Sequence, residues 1–583
     1  MKASDYIALY LERKNIGTIF EMVGGMITHM LHSISEKTKI KIVSCHHEQA
    51  AGFSAEGFAR ASGKTGVAFA TSGPGATNLL TAIGSCYFDS VPVIFITGQV
   101  NTYEIKPNQS IRQLGFQETN IVEIAKSICK KAFFVESVNS LPGILENAFM
   151  IAHEGRKGPC LIDIPMNIQS EYIDDDFALE MLEKIEETST QITDSSKVVN
   201  FCSSLFTSLQ QSKRPLLLLG GGCASNNTSR EGARKIVDLL QIPCILSLMG
   251  VDTVESNHPL RVGFIGSYGN RWANKALGSS DCLIVIGSRL DIRQTGSDVK
   301  SFAANKRIYQ VDIDPYEIGL RVKPDVNLCC SVHSFACYLE DHLENNRQDR
   351  CMHAKEWLSS INNLKALYRP EKEYKAEINE VNPLVLIKKV SESMPPSTNY
   401  VSDVGQHQMW CAQNIFFKSN SRFLTSGGMG AMGFGLPAAI GASFGVNAPI
   451  VLISGDGSLQ VNIQEFQTLV RQKKNIKIIV FNNQSHGMVR QFQESYFNSN
   501  YQSTLKGYSS PSFASVAGGY GIKSWELKSM NSPALIEWLN YKKGPCLLEV
   551  QLSKYSKVYP KLAFGRRFGD MEPETEPTEM EST

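Results

Sequence analysis

Short apolar runs that close on glycine or proline recur along this chain, among them Gly66 to Ala70, Val91 to Thr97, Cys160 to Ile164, Pro215 to Leu219 and Cys282 to Ile286. A run without polar alternation is what a strand buried on both faces looks like, and such strands belong to parallel sheets. Helix-like stretches lie between them, Glu48 to Ala61 after Ser44-Cys45-His46 and Glu465 to Gln472 after a second glycine-rich run. Strand, glycine turn and helix in alternation predict an α/β fold of doubly wound parallel-sheet domains. Two polar stretches, Glu183 to Lys197 and Asn345 to Asn382, interrupt the pattern and are read as linkers. The end, Gly569 to Thr583, repeats Glu, Pro and Thr and lacks the apolar surface a fold would bury. The expected layout is three domains over residues 1–180, 195–345 and 380–560, then a disordered acidic tail over 569–583. The first and third domains share one strand-and-turn pattern.

A chain of 583 residues exceeds what one hydrophobic core supports, which agrees with several domains. With 58 Lys+Arg against 57 Asp+Glu it lacks the basic footprint of a nucleic-acid binder, so no nucleic-acid partner is expected. The 14 cysteines form no C-x-x-C pair and no His/Cys cluster at zinc spacing, and are read as reduced core thiols. Met1 to Tyr10 has no basic stretch leading into an apolar run, and the apolar runs are too short to cross a bilayer. A cytoplasmic protein without membrane partners is expected.

Candidate chemistry concentrates at Ile453-Ser454-Gly455-Asp456-Gly457-Ser458, a strand running into a glycine turn, and at Phe481-Asn482-Asn483, the end of another apolar run. The interval holds one crossover helix and one strand, so Asp456 and Asn483 emerge at the carboxyl ends of parallel strands, where such sheets bind ligands. A carboxylate, an amide oxygen and a backbone carbonyl, with Ser485 the candidate, are hard donors suited to magnesium that keeps positions for diphosphate oxygens. Gly457 lets the backbone approach those phosphates. A Gly-Asp-Gly tripeptide alone marks only a turn; the paired spacing carries the reading.

Gly455-Asp456-Gly457 followed by Asn482-Asn483 resembles the signature of thiamine-diphosphate enzymes. Gly405-Gln406-His407-Gln408-Met409-Trp410, the run from Thr425 through Gly427-Gly428-Met429-Gly430-Ala431-Met432 to Pro437, and Gly487-Met488-Val489-Arg490-Gln491 are similar to acetolactate synthase catalytic subunits. The resemblance leaves only the tail uncovered. It implies a pyrimidine-binding first domain, a central nucleotide-binding-like domain and a diphosphate- and magnesium-binding third domain. It also implies that Gly405, Gln406, His407, Gly430 and Met432 border the cofactor, with Gly455, Gly457 and Ser458 on the strand turn and His486, Gly487 and Met488 opposite. Glu48, in His47-Glu48-Gln49-Ala50-Ala51, is by resemblance the carboxyl that hydrogen-bonds the aminopyrimidine ring and promotes loss of the thiazolium proton. By itself, a Glu in a first helical turn is more often a surface residue facing the dipole. Phe116, Gln117 and Lys130 are placed near substrate, Met432 against the bent cofactor, and Phe492 at the substrate cleft, where synthases that prefer 2-oxobutanoate over pyruvate typically carry Trp. Arg293 or Lys130 is matched to an acceptor carboxylate.

The central domain carries Gly220-Gly221-Gly222 after one strand and Gly287-Ser288-Arg289-Leu290-Asp291-Ile292-Arg293 after another, a pattern suited to a dinucleotide diphosphate. The resemblance makes that ligand FAD, in a structural role, with Arg156, Gly221, Gly222, Arg289, Asp291, Arg293 and Asp312 around it; glycine turns and arginines are commonplace in α/β domains, so an empty site or another adenine nucleotide is the alternative. Three departures bear on flavin and acceptor. Phe20-Glu21-Met22-Val23-Gly24-Gly25 replaces Phe-Gly-x-Pro-Gly-Gly, Ser331 stands where Asp is common, and Ile292 replaces an Asp. The implied function is a thiamine-diphosphate- and magnesium-dependent carboligase. It decarboxylates pyruvate and passes an acetyl unit to a second 2-oxo acid, as in branched-chain amino acid biosynthesis, from a homodimer or homotetramer; the residues do not decide whether a regulatory subunit joins it. The rivals are acetyl transfer to another carbonyl such as a nucleotide-linked keto-sugar, pyruvate-oxidase-like chemistry in which flavin takes electrons, and a non-catalytic binding protein, against which the intact Glu48, Asp456 and Asn483 speak.

Overall fold

The structure is a computed structural model that describes residues 1–108, 110–183, 195–346, 354–374 and 380–575. Its frame is three six-stranded sheets, parallel throughout. The first holds β1 (Thr18–Met22), β2 (Lys41–Ser44), β3 (Gly66–Ala70), β4 (Val93–Gln99), β5 (Lys131–Phe134) and β6 (Cys160–Pro165), in the order β2-β1-β3-β4-β6-β5. The second holds β7 (Pro215–Leu219), β8 (Cys244–Leu246), β9 (Arg261–Phe264), β10 (Cys282–Ile286), β11 (Arg307–Asp312) and β12 (Val326–Cys329), in the order β12-β11-β10-β7-β8-β9. The third holds β13 (Asn399–Ser402), β14 (Arg422–Leu424), β15 (Ile450–Gly455), β16 (Ile476–Asn482), β17 (Lys523–Leu527) and β18 (Cys546–Gln551), in the order β14-β13-β15-β16-β18-β17.

The first and third sheets therefore have one topology, and the second has the order of dinucleotide-binding sheets. In each, the order reverses between two central strands whose carboxyl ends open a crevice. Those ends carry the singled-out motifs: Gly220–Gly222 and Gly287 follow β7 and β10, while Asp403 to Gly405 and Asp456 follow β13 and β15. The central strands are buried along their length, β4, β7 and β15 on every residue, which is why they read as unbroken apolar runs.

The first and third domains share one apolar cluster, whereas the central domain has its own. Helix Glu48–Ser62 crosses helix Gly435–Gly445 there, with Phe53 edge-on to Phe434 at 5.5 Å. Glycines allow the crossing: a Cβ on Gly57 would lie 2.1 Å from the Ala438 carbonyl oxygen, and one on Gly441 1.8 Å from that of Ser54.

Two expectations change. Within the second polar stretch, Ala354–Leu367 is a helix whose Trp357 and Ile361 join a central-domain core, while 184–194, 347–353 and 375–379 lie outside the described residues. The tail expected to be disordered from 569 is ordered through Thr575. Lys561–Leu562 and Met571–Glu572 pair antiparallel, and the buried Arg271 donates to the carbonyls of Met571 and Glu572 at 2.9 Å while paired with Glu373. The guanidinium satisfies a backbone that composition alone left without partners; residues 576–583 lie outside the described set.

Candidate active site

Asp456 is the first residue of helix Asp456–Val461, at the end of β15, and is 3% exposed. Burial pushes its carboxyl up to about 6, although the backbone N–H groups of Gly457 and Ser485 and the Tyr508 hydroxyl face it. Asp456 Oδ2 and Ser485 Oγ are both buried without a hydrogen-bond partner among the described residues. A group of orphaned oxygens around a carboxylate is costly unless a ligand or cation completes it.

Asn483 follows β16. Its amide nitrogen donates to Gln406 Oε1 at 3.0 Å and to Ser556 Oγ at 2.9 Å, which leaves its oxygen to serve as an acceptor. The Ser485 carbonyl accepts from Gly487 N–H at 2.9 Å and keeps a second lone pair. Among the described residues no group of three or more His, Cys, Asp or Glu side chains could hold a metal. A cation at Asp456 would take its remaining ligands from elsewhere, as one shared with a diphosphate does. The residues fit that pair of groups.

The flanking candidates converge here. A Cβ on Gly455 would meet His407 Nδ1 at 2.9 Å, one on Gly457 the His486 ring at 2.7 Å, and one on Gly487 Gln406 Oε1 at 2.2 Å. Each glycine is needed because one of these side chains packs directly against its backbone. His407 is buried and held down to about 3 by desolvation, so it stays neutral, while His486 rests on Tyr508 at 4.2 Å. Ser458 Oγ accepts from Gly455 N–H at 3.2 Å, and Met488 packs on the third-domain core. Gly430 and Met432 lie on the loop between β14 and helix Gly435–Gly445.

That loop is pinned at both ends by carboxylates that sequence reading missed. The fully buried Asp403 accepts from Gly433 N–H at 3.0 Å and Gly435 N–H at 2.9 Å, and Asp89 accepts from Gly427 N–H at 2.8 Å and Gly428 N–H at 2.7 Å. Arg60, bonded to the Thr425 carbonyl at 2.7 Å, ties Asp89 and Glu56 together. Asp403 had one signal, its place at a strand end before Val404-Gly405; Asp89, Glu56 and Tyr508 had none.

In the first domain Glu48 opens its helix behind the cap His47, whose Nδ1 accepts from Gln49 N–H at 3.0 Å. Its carboxylate is half-buried and accepts from Asn78 Nδ2 at 2.9 Å. Phe116 is 79% exposed and Gln117 holds a left-handed φ of 67°, backed by Gly73. Lys130 turns to the Glu154 carbonyl at 2.5 Å, and burial lowers its pKa. Phe492 is 44% exposed and packs on Tyr496 and Phe497. Of the departures, Glu21 is buried beside Ser44 and Arg471, with burial raising its pKa.

A cavity of about 600 Å³ opens at the switch point of the second sheet. Gly221 and Gly222 line it from β7, Arg289, Asp291 and Arg293 from the turn after β10, Asp312 from β11, and Arg156 from the first domain. Asp291 caps helix Ile292–Thr295 and pairs with Arg289 at 3.6 Å, and Arg156 pairs with Asp314 at 3.3 Å and with Glu317. Ser331 and Ile292 also face the cavity, and Arg293 reaches the Gly427 carbonyl at 3.2 Å. The cavity thus reaches the loop that Asp89 holds. Its size, convergent guanidinium groups and glycine turns suit a dinucleotide.

The family models for the thiamine pyrophosphate enzyme N-terminal TPP binding domain, central domain and C-terminal TPP binding domain match residues 1–124, 203–339 and 403–550. The chain is 34% identical to acetolactate synthase 1, chloroplastic, of Zea mays, covering 98% of this chain and 88% of that protein. It is equally 34% identical to acetolactate synthase 2, chloroplastic, of Nicotiana tabacum and to acetolactate synthase, chloroplastic, of Arabidopsis thaliana, covering 98% of this chain in each case and 85% and 84% of those proteins.

Proposed function

This chain belongs to the acetolactate synthase family of thiamine pyrophosphate enzymes and is a thiamine-diphosphate-dependent carboligase, and from that premise we propose that it moves an acetyl unit from pyruvate to a second 2-oxo acid at the crevice marked by Asp456 and Asn483. The observation that carries the reading is the pair of buried, partnerless oxygens of Asp456 and Ser485 at the strand ends. Thiamine diphosphate, when bound, supplies the electron sink for decarboxylation and carbon–carbon bond formation.

The chain's own residues do the rest. Asp456, the Asn483 oxygen and the Ser485 carbonyl hold magnesium, which anchors the diphosphate; a dication there reverses the burial effect and keeps Asp456 ionised. Gly405, Gly455, Gly457 and Gly487 admit the phosphates, with Gln406, His407, Ser458 and His486 at their sides, and Gly430, Met432 and Met488 border the rest of the cofactor. Glu48 holds a proton on the aminopyrimidine ring. Met432 would give the cofactor apolar support. Gln117 and Phe492 border the substrate, and Lys130 or Arg293 meets an acceptor carboxylate. FAD occupies the central cavity in a structural role, bordered by Gly221, Gly222, Arg289, Asp291, Asp312 and Arg156.

The active unit is a homodimer or larger, in which Glu48 serves a cofactor held by another subunit's third domain. The described cysteines are free, which suits a reducing compartment such as the cytoplasm. No described helix is long and apolar enough to cross a membrane. The names of the relatives favour a 2-oxo acid acceptor over a keto-sugar or an oxidase. Mass spectrometry of products from enzyme, thiamine diphosphate, magnesium and pyruvate tests the reading: acetolactate is expected, and acetate with flavin reduction refutes it.

A further inference from the structure

Third-domain side chains hold the segment that leads into Glu48. Ser44, Cys45 and His46 leave β2 at the edge of the first sheet, and His47 caps the helix that Glu48 opens. The fully buried Glu465 accepts from His46 N–H at 2.8 Å through one carboxylate oxygen and from Thr468 Oγ1 at 2.6 Å through the other. Arg471 donates to the Ser44 carbonyl and lies 3.3 Å from His46 Nε2. Asn462, 1% exposed, divides its amide between Gln49 Oε1 at 3.0 Å and the Gly433 carbonyl at 2.9 Å.

These groups lie on one short stretch of chain that runs from helix Asp456–Val461 through helix Glu465–Arg471. Its first residue is Asp456. The bonds reach positions 44, 46 and 49, on both sides of Glu48, and Asn462 also grips the loop next to Met432. A helix start has four free N–H groups and frays readily. Here it is braced from outside its own domain by Glu465 and Asn462, which are buried and so have one geometry, with the exposed Arg471 beside them.

We propose that Glu465 and Asn462 are positioning residues for Glu48: together they set the direction in which its carboxyl leaves the first domain, so that one segment fixes both the metal carboxylate and the proton-holding carboxylate of a chain. The inference rests on the assignment of Glu48 given above. Loosening this brace moves Glu48 without removing it, and leaves the diphosphate anchors in place. Cofactor affinity and proton exchange at the cofactor's reacting carbon therefore separate.

The experiment uses the full-length enzyme saturated with thiamine diphosphate and magnesium. It measures hydrogen–deuterium exchange at the thiazolium carbon by quenched flow and NMR, and cofactor affinity by equilibrium dialysis. Glu465→Ala, Asn462→Ala and Gln49→Ala are expected to slow exchange roughly tenfold to 100-fold, the scale on which about 1 Å of misplacement acts, with affinity nearly unchanged. Glu465→Gln keeps an acceptor for His46 N–H and recovers most of the rate. Gln49 is only half-buried, so its variant decides the matter if the two core variants do not fold. Exchange at the wild-type rate in a folded alanine variant, alongside slow exchange in Glu48→Gln, overturns the proposal. Wild-type exchange in Glu48→Gln itself would instead overturn the role given to Glu48.

Discussion

Asp163→Asn should stabilise the first domain at neutral and alkaline pH and abolish a pH dependence that the wild type shows. Asp163 sits in β6, 1% exposed, and its carboxyl accepts from Thr97 Oγ1 at 2.7 Å and Gln99 Nε2 at 2.9 Å. Neither donor carries charge, so burial dominates and pushes the group from 3.8 up to about 7. A carboxyl raised in the folded state contributes stability that is fully present below its unfolded value of 3.8 and is lost as pH rises through about 7. At about 1.4 kcal/mol per tenfold change, that interval amounts to about 4 kcal/mol as an upper bound. Asparagine offers an oxygen to Gln99 and an N–H to the Thr97 hydroxyl, which rotates to accept it, so the network survives without the charge. For a domain of this size the gain at pH 8 corresponds to a rise in melting temperature of roughly 8–16 °C at the bound, and less as the site relaxes. Differential scanning fluorimetry of both proteins from pH 5 to 8 reads it. A melting-temperature difference that stays flat across that range would refute the argument. Gln99 also donates to the Thr119 carbonyl at 2.8 Å, so the same variant should leave the Gln117 loop in place and cofactor affinity unchanged.

Asp456→Ala is expected to abolish magnesium-dependent retention of thiamine diphosphate in equilibrium dialysis; unchanged retention would refute the metal assignment. Gly441→Ala, whose Cβ would sit 1.8 Å from the Ser54 carbonyl oxygen, should cost more than the roughly 1–3 kcal/mol of ordinary overpacking. Gly143→Ala, in helix Leu141–His153 with nothing within 4 Å, should instead gain roughly 0.5–1 kcal/mol; thermal melts of both check the contrast. Phe492→Trp should move acceptor choice toward 2-oxobutanoate by about 1–3 kcal/mol of discrimination, read in a competition assay with pyruvate; a wild type already strongly biased toward it would show that another residue sets the choice.

Local sequence determined the strands of the three sheets, because a parallel strand buried on both faces needs an unbroken apolar run, and Pro215–Leu219 and Cys282–Ile286 form where the pattern placed them. It also put Asp456, Asn483 and the glycine turns at strand ends, since a strand running into a glycine turn is a local pattern. Strand order, which makes the second sheet a dinucleotide-type crevice and the first and third alike, was decided by tertiary packing, for pairing partners lie far apart along the chain. So was the fate of Met571–Glu572, acidic by composition yet ordered because the buried Arg271 needs its carbonyls. The braces on Glu48 and on the Gly427–Gly435 loop are beyond any local pattern. Glu465, Asn462, Asp89 and Asp403 look like ordinary polar residues in helix and loop, and what makes them matter is that burial denies them water and leaves a distant backbone amide or amide side chain as their partner.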